Sequence, residues 1–199
     1  CSGIGCKRSG GFEVPAEVGR GLSEVDSLRA LLQWLEGQRG YAADTLRMYV
    51  LYQLIDAIIS RNPDSAYILV RRLEGLARSS SYSAGSGLMY LSRALVYSSK
   101  GEADSVIFWA RQALSALDEG RYGKLRAQTL NALGLGYRQR SDYDSALTYY
   151  ERAGSLFRAL EDNRGLAASY NSIGNIYRAQ GRYAEALEYH QKSLRIREA

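Results

Sequence analysis

Two cysteines and a single histidine are the only soft or imidazole ligands in this 199-residue chain. They do not make up the ligand set a structural metal needs, so neither a metal nor a cofactor is expected. Both cysteines, Cys1 and Cys6, stand within the first six residues, so they cannot staple the body of the chain. Proline occurs only twice, at Pro15 and Pro63, which leaves long stretches free to be helical. Lysine is scarce, at four against twenty-two arginines, and no block of either stands apart from Asp and Glu. The net charge of +5 therefore lacks the basic stripe that nucleic-acid binding requires, and no nucleic-acid partner is expected. No apolar run approaches the roughly 18 residues of a membrane span, and no signal peptide is present within these residues. Catalytic wording is missing as well: there is no Gly-rich phosphate loop, no Ser/His/Asp arrangement and no HExxH. Gly134-Leu135-Gly136 imitates the start of a dinucleotide loop, but it falls within a helical pattern with no strand before it. The chain reads as non-catalytic.

What is present is a repeat. Between Ala167 and Ala199, Tyr170, Ile173, Gly174 and Tyr177 mark one helix face and Gly181 breaks the chain. Tyr183, Ala186, Leu187, His190, Leu194 and Ile196 then mark a second face. Moving back 40 residues, Leu133, Gly134, Tyr137, Tyr143, Ala146 and Tyr150 fall on the same places. A further step gives Tyr90, Ala94, Tyr97, Val106 and Ala110, and a more degenerate one gives Val50, Leu54, Ala57, Ala66 and Val70. Four units thus start near residues 47, 87, 127 and 167. Small residues at Ala94, Gly134 and Gly174, facing Ala66, Val106, Ala146 and Ala186, let paired helices approach closely.

The spacing of Tyr170, Ile173-Gly174, Tyr177, Ala186, His190 and Ser193 resembles a tetratricopeptide repeat, without the final Pro of that pattern. The resemblance implies an all-α, right-handed superhelical solenoid of four helix-turn-helix repeats over 41–199. A leading helix over 22–40 and a Gly-rich arm over 1–21 precede it. The 40-residue period, against about 34 in the usual repeat, predicts an extended loop or extra helical turn. His190 occupies a packing position, and a core or half-buried role is expected of it.

By the same resemblance, the first helix of each unit lines a concave surface and presents partner-binding side chains. These are Met48, Leu51, Ile55, Ile58 and Ile59, then Leu88, Leu91, Leu95, Ser98 and Ser99. Gln128, Asn131, Leu135, Arg138 and Gln139 follow, then Ala168, Asn171, Asn175, Arg178 and Ala179. The groove is expected to be greasy at its N-terminal end and polar at its C-terminal end. The partner is a protein or peptide, or another copy of the chain. The family's Lys/Asn/Arg clamp for a terminal carboxylate is only partly matched by Asn131, Arg138, Asn171, Asn175 and Arg178.

Three further readings concern the ends and the helix starts. Cys1-Ser2-Gly3 resembles the mature start of a bacterial lipoprotein, which implies an extracytoplasmic or cell-surface location and a membrane link only through lipid on Cys1. A disulfide between Cys1 and Cys6, or to another chain, is the alternative. The arm would be disordered by itself and is expected to dock on the chain's own groove or on a neighbour. Val25, Leu28, Leu31, Leu32 and Leu35 predict the leading helix, Asp44 is a candidate N-cap for the next, and that next helix is apolar on more than one face. Asp64-Ser65, Asp104-Ser105 and Asp144-Ser145 read as capping residues of the second helices. With the aliphatic residue that follows each pair, Ala66, Val106 and Ala146, they resemble the O-glycosylation acceptors of exported Bacteroidetes proteins, with Ser65, Ser105 and Ser145 as the acceptor residues. The C-terminal helix lacks a capping partner, so two functional forms are open. One is a subunit that assembles head to tail into a filament or other homopolymer. The other is the ligand-sensing input module of a larger protein, resembling bacterial sensor kinases with N-terminal repeat arrays.

Overall fold

The computed structural model describes residues 15, 23–80 and 82–198, and among them nine α-helices and no strands. The leading helix is α1 (Glu24–Glu36). Four antiparallel pairs follow: α2 (Tyr41–Ile58) with α3 (Pro63–Ser79), and α4 (Gly85–Ser99) with α5 (Ala103–Ala116). Then come α6 (Gly123–Gln139) with α7 (Tyr143–Ala159), and α8 (Asn163–Ala179) with α9 (Tyr183–Glu198). Each helix packs on its chain neighbours, and the even-numbered helices also touch one another in succession, α2 on α4, α4 on α6 and α6 on α8. That pattern makes an all-α solenoid with the even helices as its inner layer and the odd ones outside. Cys1, Cys6 and the N-terminal arm, with the readings placed on them, lie outside the described residues.

The long period resolves into longer helices rather than longer loops. The helices α6, α7 and α8 each run 17 residues, joined by three-residue turns. Those turns share one construction. Gly101, Ser141, Glu161 and Gly181 all adopt positive φ, between 54° and 76°. In each turn the next residue's N–H returns to a carbonyl of the preceding helix, as in Asp142 to Tyr137 at 2.9 Å and Asp162 to Phe157 at 2.9 Å. This is the Schellman closure, and it satisfies carbonyls the helix end would leave orphaned.

Side chains cap the starts of α1, α3, α7 and α8, not always through the expected residue, whereas α2, α4, α6 and, against the reading of Asp104-Ser105, α5 have no side-chain cap. Ser23 accepts from the Asp26 N–H at the head of α1. Asn62 and Asp142 do the same for α3 and α7, each accepting from the N–H of the serine three residues on, Ser65 and Ser145. The Asp-Ser pairs therefore sit one step inside the helix, where Asp64 and Asp144 complement the dipole while the preceding Asn or Asp caps. Asp44 is not an N-cap: α2 starts earlier, after Gly40 at φ 109°, and Asp44 lies within its first turn. There it ion-pairs with Arg47. The Arg47 guanidinium also donates to the carbonyls of Leu35, at 3.0 Å, and Gln38, neutralising the C-terminal end of α1.

Close helix approach does depend on glycine, but the facing group differs from the expected alanines. A Cβ on Gly134 would stand 2.8 Å from the Tyr150 ring, and one on Gly174 2.9 Å from the His190 imidazole. The ring of the partner helix lies flat over bare backbone. Ala66, Ala94, Ala146 and Val106 are buried around these crossings. Many tyrosines serve this packing: Tyr137 stacks on Tyr149 at 5.3 Å and Tyr177 meets Tyr189 at 5.5 Å, one period apart. A second row runs along the edge of the solenoid, with Tyr41, Tyr82 and Tyr122 edge to face at 6.3 and 6.2 Å.

Candidate functional site

The even helices, with the start of α1, border a groove of about 1230 Å³. Its lining runs from the start of α1, through α2, α4 and α6, to α8. One side carries Glu24, Asp26 and Asp56, with Arg29 and Arg61 among them. The opposite side carries Lys124, Arg138, Arg164 and Arg178, with Asp162 as its acid. The two sides meet where Arg164 at the head of α8 pairs with Glu24 at the head of α1, 3.2 Å apart. The leading helix thus borders the groove with its first turn while its apolar face, Leu28, Leu31, Leu32 and Leu35, is buried in the core.

The predicted partner-binding residues divide between core and groove. Met48, Leu51, Ile55 and Leu88 are fully buried, each at 0% exposure, and do not line the groove. The expectation of a greasy N-terminal groove is corrected accordingly: α1 packs over the first repeat, so the apolar faces of α2 and α4 are spent on the core. Ile58, Leu91 and Leu95 do border the groove, and so do Gln128, Asn131, Arg138, Asn175 and Arg178. Asn171 is turned away and faces His190, whose Nδ1 is 3.1 Å from its Oδ1. His190 is half-buried beneath α8, in a packing position.

Local bonds fix the polar wall. Ser169 donates to Asn131 Oδ1 at 3.0 Å, tying α8 to α6. Burial pushes the Tyr150 hydroxyl up, offset by the Arg138 charge and by hydrogen bonds from Arg138 and Ser172. Asp56 is open to solvent yet hemmed in by the groove walls. Desolvation raises its carboxyl above the ordinary value, opposed by Arg164 and reinforced by Glu24. Asp162 shows the opposite balance. Burial pushes it up, but the Lys124 ammonium at 2.8 Å, the Gly165 N–H and the Arg164 charge together hold it below the usual range. Gln128 Oε1 is buried in the wall with no hydrogen-bond partner among the described residues, an acceptor left for a ligand or water.

Sequence reasoning missed Glu24, Asp26, Asp56, Lys124 and Arg164. They come from the first turns of α1, α6 and α8 and from the last turn of α2, and only the packing of the whole array places them around one groove. Ser65, Ser105 and Ser145 are half-buried in the first turns of α3, α5 and α7, and Ser105 Oγ donates to Glu102 at 3.1 Å.

The repeat geometry is matched by independent comparison: the tetratricopeptide repeat family pattern fits residues 125–199. Residues 125–199 are tetratricopeptide repeats. A solved structure of similar fold, that of MamA, shares 21% identity, with a TM-score of 0.50 over 89% of this chain and 96% of that one. At that identity the likeness speaks for the fold. Comparison with curated proteins gives no match. Tetratricopeptide solenoids are generally protein-interaction scaffolds, and the fold of this chain suggests that class. Among the described residues, no helix is long and apolar enough to cross a membrane.

Proposed function

We propose that the chain is a scaffold that holds an extended segment of a partner protein in the groove between α1 and α8. The observation that carries this reading is the groove itself: it is large, open along one side, and lined by charged and amide side chains borne on rigid helices. Its two walls differ in sign, so a bound segment is oriented, with acidic residues toward Lys124, Arg138 and Arg178 and basic ones toward Asp26 and Asp56.

Panning a random peptide library displayed on phage against the chain tests this. Selection should enrich sequences with an acidic cluster, and Arg138→Glu with Arg178→Glu should cut their binding at least about tenfold, as opposed charges at an interface do. Enrichment of sequences whose binding ignores both reversals would place the site elsewhere and sink the reading.

A further inference from the structure

The outer side of α9 exposes Tyr183 at 71%, Leu187 at 60% and Leu194 at 53%. These positions are apolar one period earlier as well, or small, and there they are covered. In α7 the equivalents are Tyr143, Leu147 and Gly154; the first two are half-buried against the core, and a Cβ on Gly154 would lie 3.6 Å from Leu166 and Ser169 of α8. In α5 they are Ala103, Ile107 and Leu114, where Ile107 is 7% exposed and touches Gly136 of α6. The α9 face is thus the continuation of a surface that twice receives a helix.

Charge on α9 specifies which helix. Its first half carries Glu185 and Glu188 and its second half Lys192, Arg195 and Arg197, with Glu198 as the one acid at its very end. An antiparallel copy of α9 brings each acidic half against the other's basic half. With Leu187 of one helix opposite Leu194 of the other, Glu188 lies beside the other's Arg195 at both ends of the seam. Lys192 already holds Glu188 from within its own helix at 2.6 Å, engaging one carboxylate oxygen, and Arg195 is exposed. We infer that α9 is a dimerisation helix, pairing with α9 of a second copy about a two-fold axis between residues 190 and 191. The apolar seam of three side chains is short, so the dimer is of the small, reversible class, micromolar or weaker.

Sedimentation equilibrium of the whole chain, under reducing conditions, tests the pairing. The mass should rise with concentration from 22.1 kDa toward twice that value. Leu187→Asp with Leu194→Asp should hold it at the monomer with circular dichroism unchanged. Glu188→Arg should weaken association about tenfold, and adding Arg195→Glu should restore it, since like charges are replaced again by opposite ones. A wild-type chain that stays monomeric at all concentrations overturns the inference. So does a dimer indifferent to the leucine substitutions, or a charge swap that restores nothing. None of these results bears on peptide binding in the groove, which lies on the opposite side of α8.

Discussion

The first inner helix and the last outer helix of the array treat apolar side chains in opposite ways. In α2, Met48, Leu51 and Ile55 are sealed at 0% exposure because α1, α3 and α4 all pack on it. In α9, only Ala186 and Ser193 are buried, because α8 alone packs on it. The same repeat wording thus produces a closed end and an open one, and the difference lies in the neighbours on either side of the unit rather than in the unit. A solenoid's stability is correspondingly uneven, since each helix draws on its neighbours.

Substitutions that remove similar amounts of side chain should therefore diverge. Ile55→Ala in α2 is expected to cost about 2–5 kcal/mol, as deletions in a close-packed core do. Leu187→Ala in α9 should lie within about 0.5 kcal/mol of wild type at concentrations where the chain is monomeric. Denaturant unfolding of both would measure the contrast, and equal losses would mean that α9 is covered in the monomer.

Backbone crossings come next in size. Gly165→Ala places a methyl 2.3 Å from the Phe157 ring at the α7/α8 crossing and is expected to cost about 1–3 kcal/mol. Gly75→Ala, in α3 with open space around it, should instead stabilise by about 0.5–1 kcal/mol. Opposite signs in thermal melts would show that glycine is required at crossings and incidental elsewhere.

Between these lies Asp162, which caps α8 through the Gly165 N–H at 3.0 Å and pairs with Lys124. Asp162→Ala should cost about 1–2 kcal/mol. Because the folded state holds this carboxyl below its unfolded value, its contribution is complete above the unfolded carboxylate range and fades as pH falls through the folded value. Lys124→Met should move that loss to higher pH, which carboxyl-carbon NMR of Asp162 would follow. An unmoved titration would mean that the backbone cap alone holds it down.

The smallest effect concerns the turns. Ser141 and Glu161 adopt the left-handed conformation that Gly101 and Gly181 fill without strain. Glu161→Gly should raise stability by about 0.5–1 kcal/mol, against the usual effect of placing glycine in a chain. Loss of stability would indicate that the Glu161 side chain contributes more than its backbone costs.

Much of the fold was legible because it is local and repeated. Tyr137 with Tyr177, Gly134 with Gly174 and Ala146 with Ala186 announce a 40-residue unit, and the five apolar residues of α1 announce its leading helix. The groove was less so. Leu51 and Leu91 hold equivalent positions to Asn131 and Asn171, yet Leu51 is in the core, Leu91 and Asn131 border the groove, and Asn171 faces His190. Position within a repeat fixes a direction, whereas burial depends on the elements that pack from outside the repeat. Arg164 and Glu24 meet across 140 residues of sequence, a distance no local pattern encodes.

That last contact gives the array a mechanical character. An open coil is a spring, with its pitch free to lengthen, but here the heads of α1 and α8 touch across the bore. The two side chains are 68% and 87% exposed, so the contact is a latch and not a strut; helix packing sets the pitch. Salt or a wedge of ligand can release it at little expense.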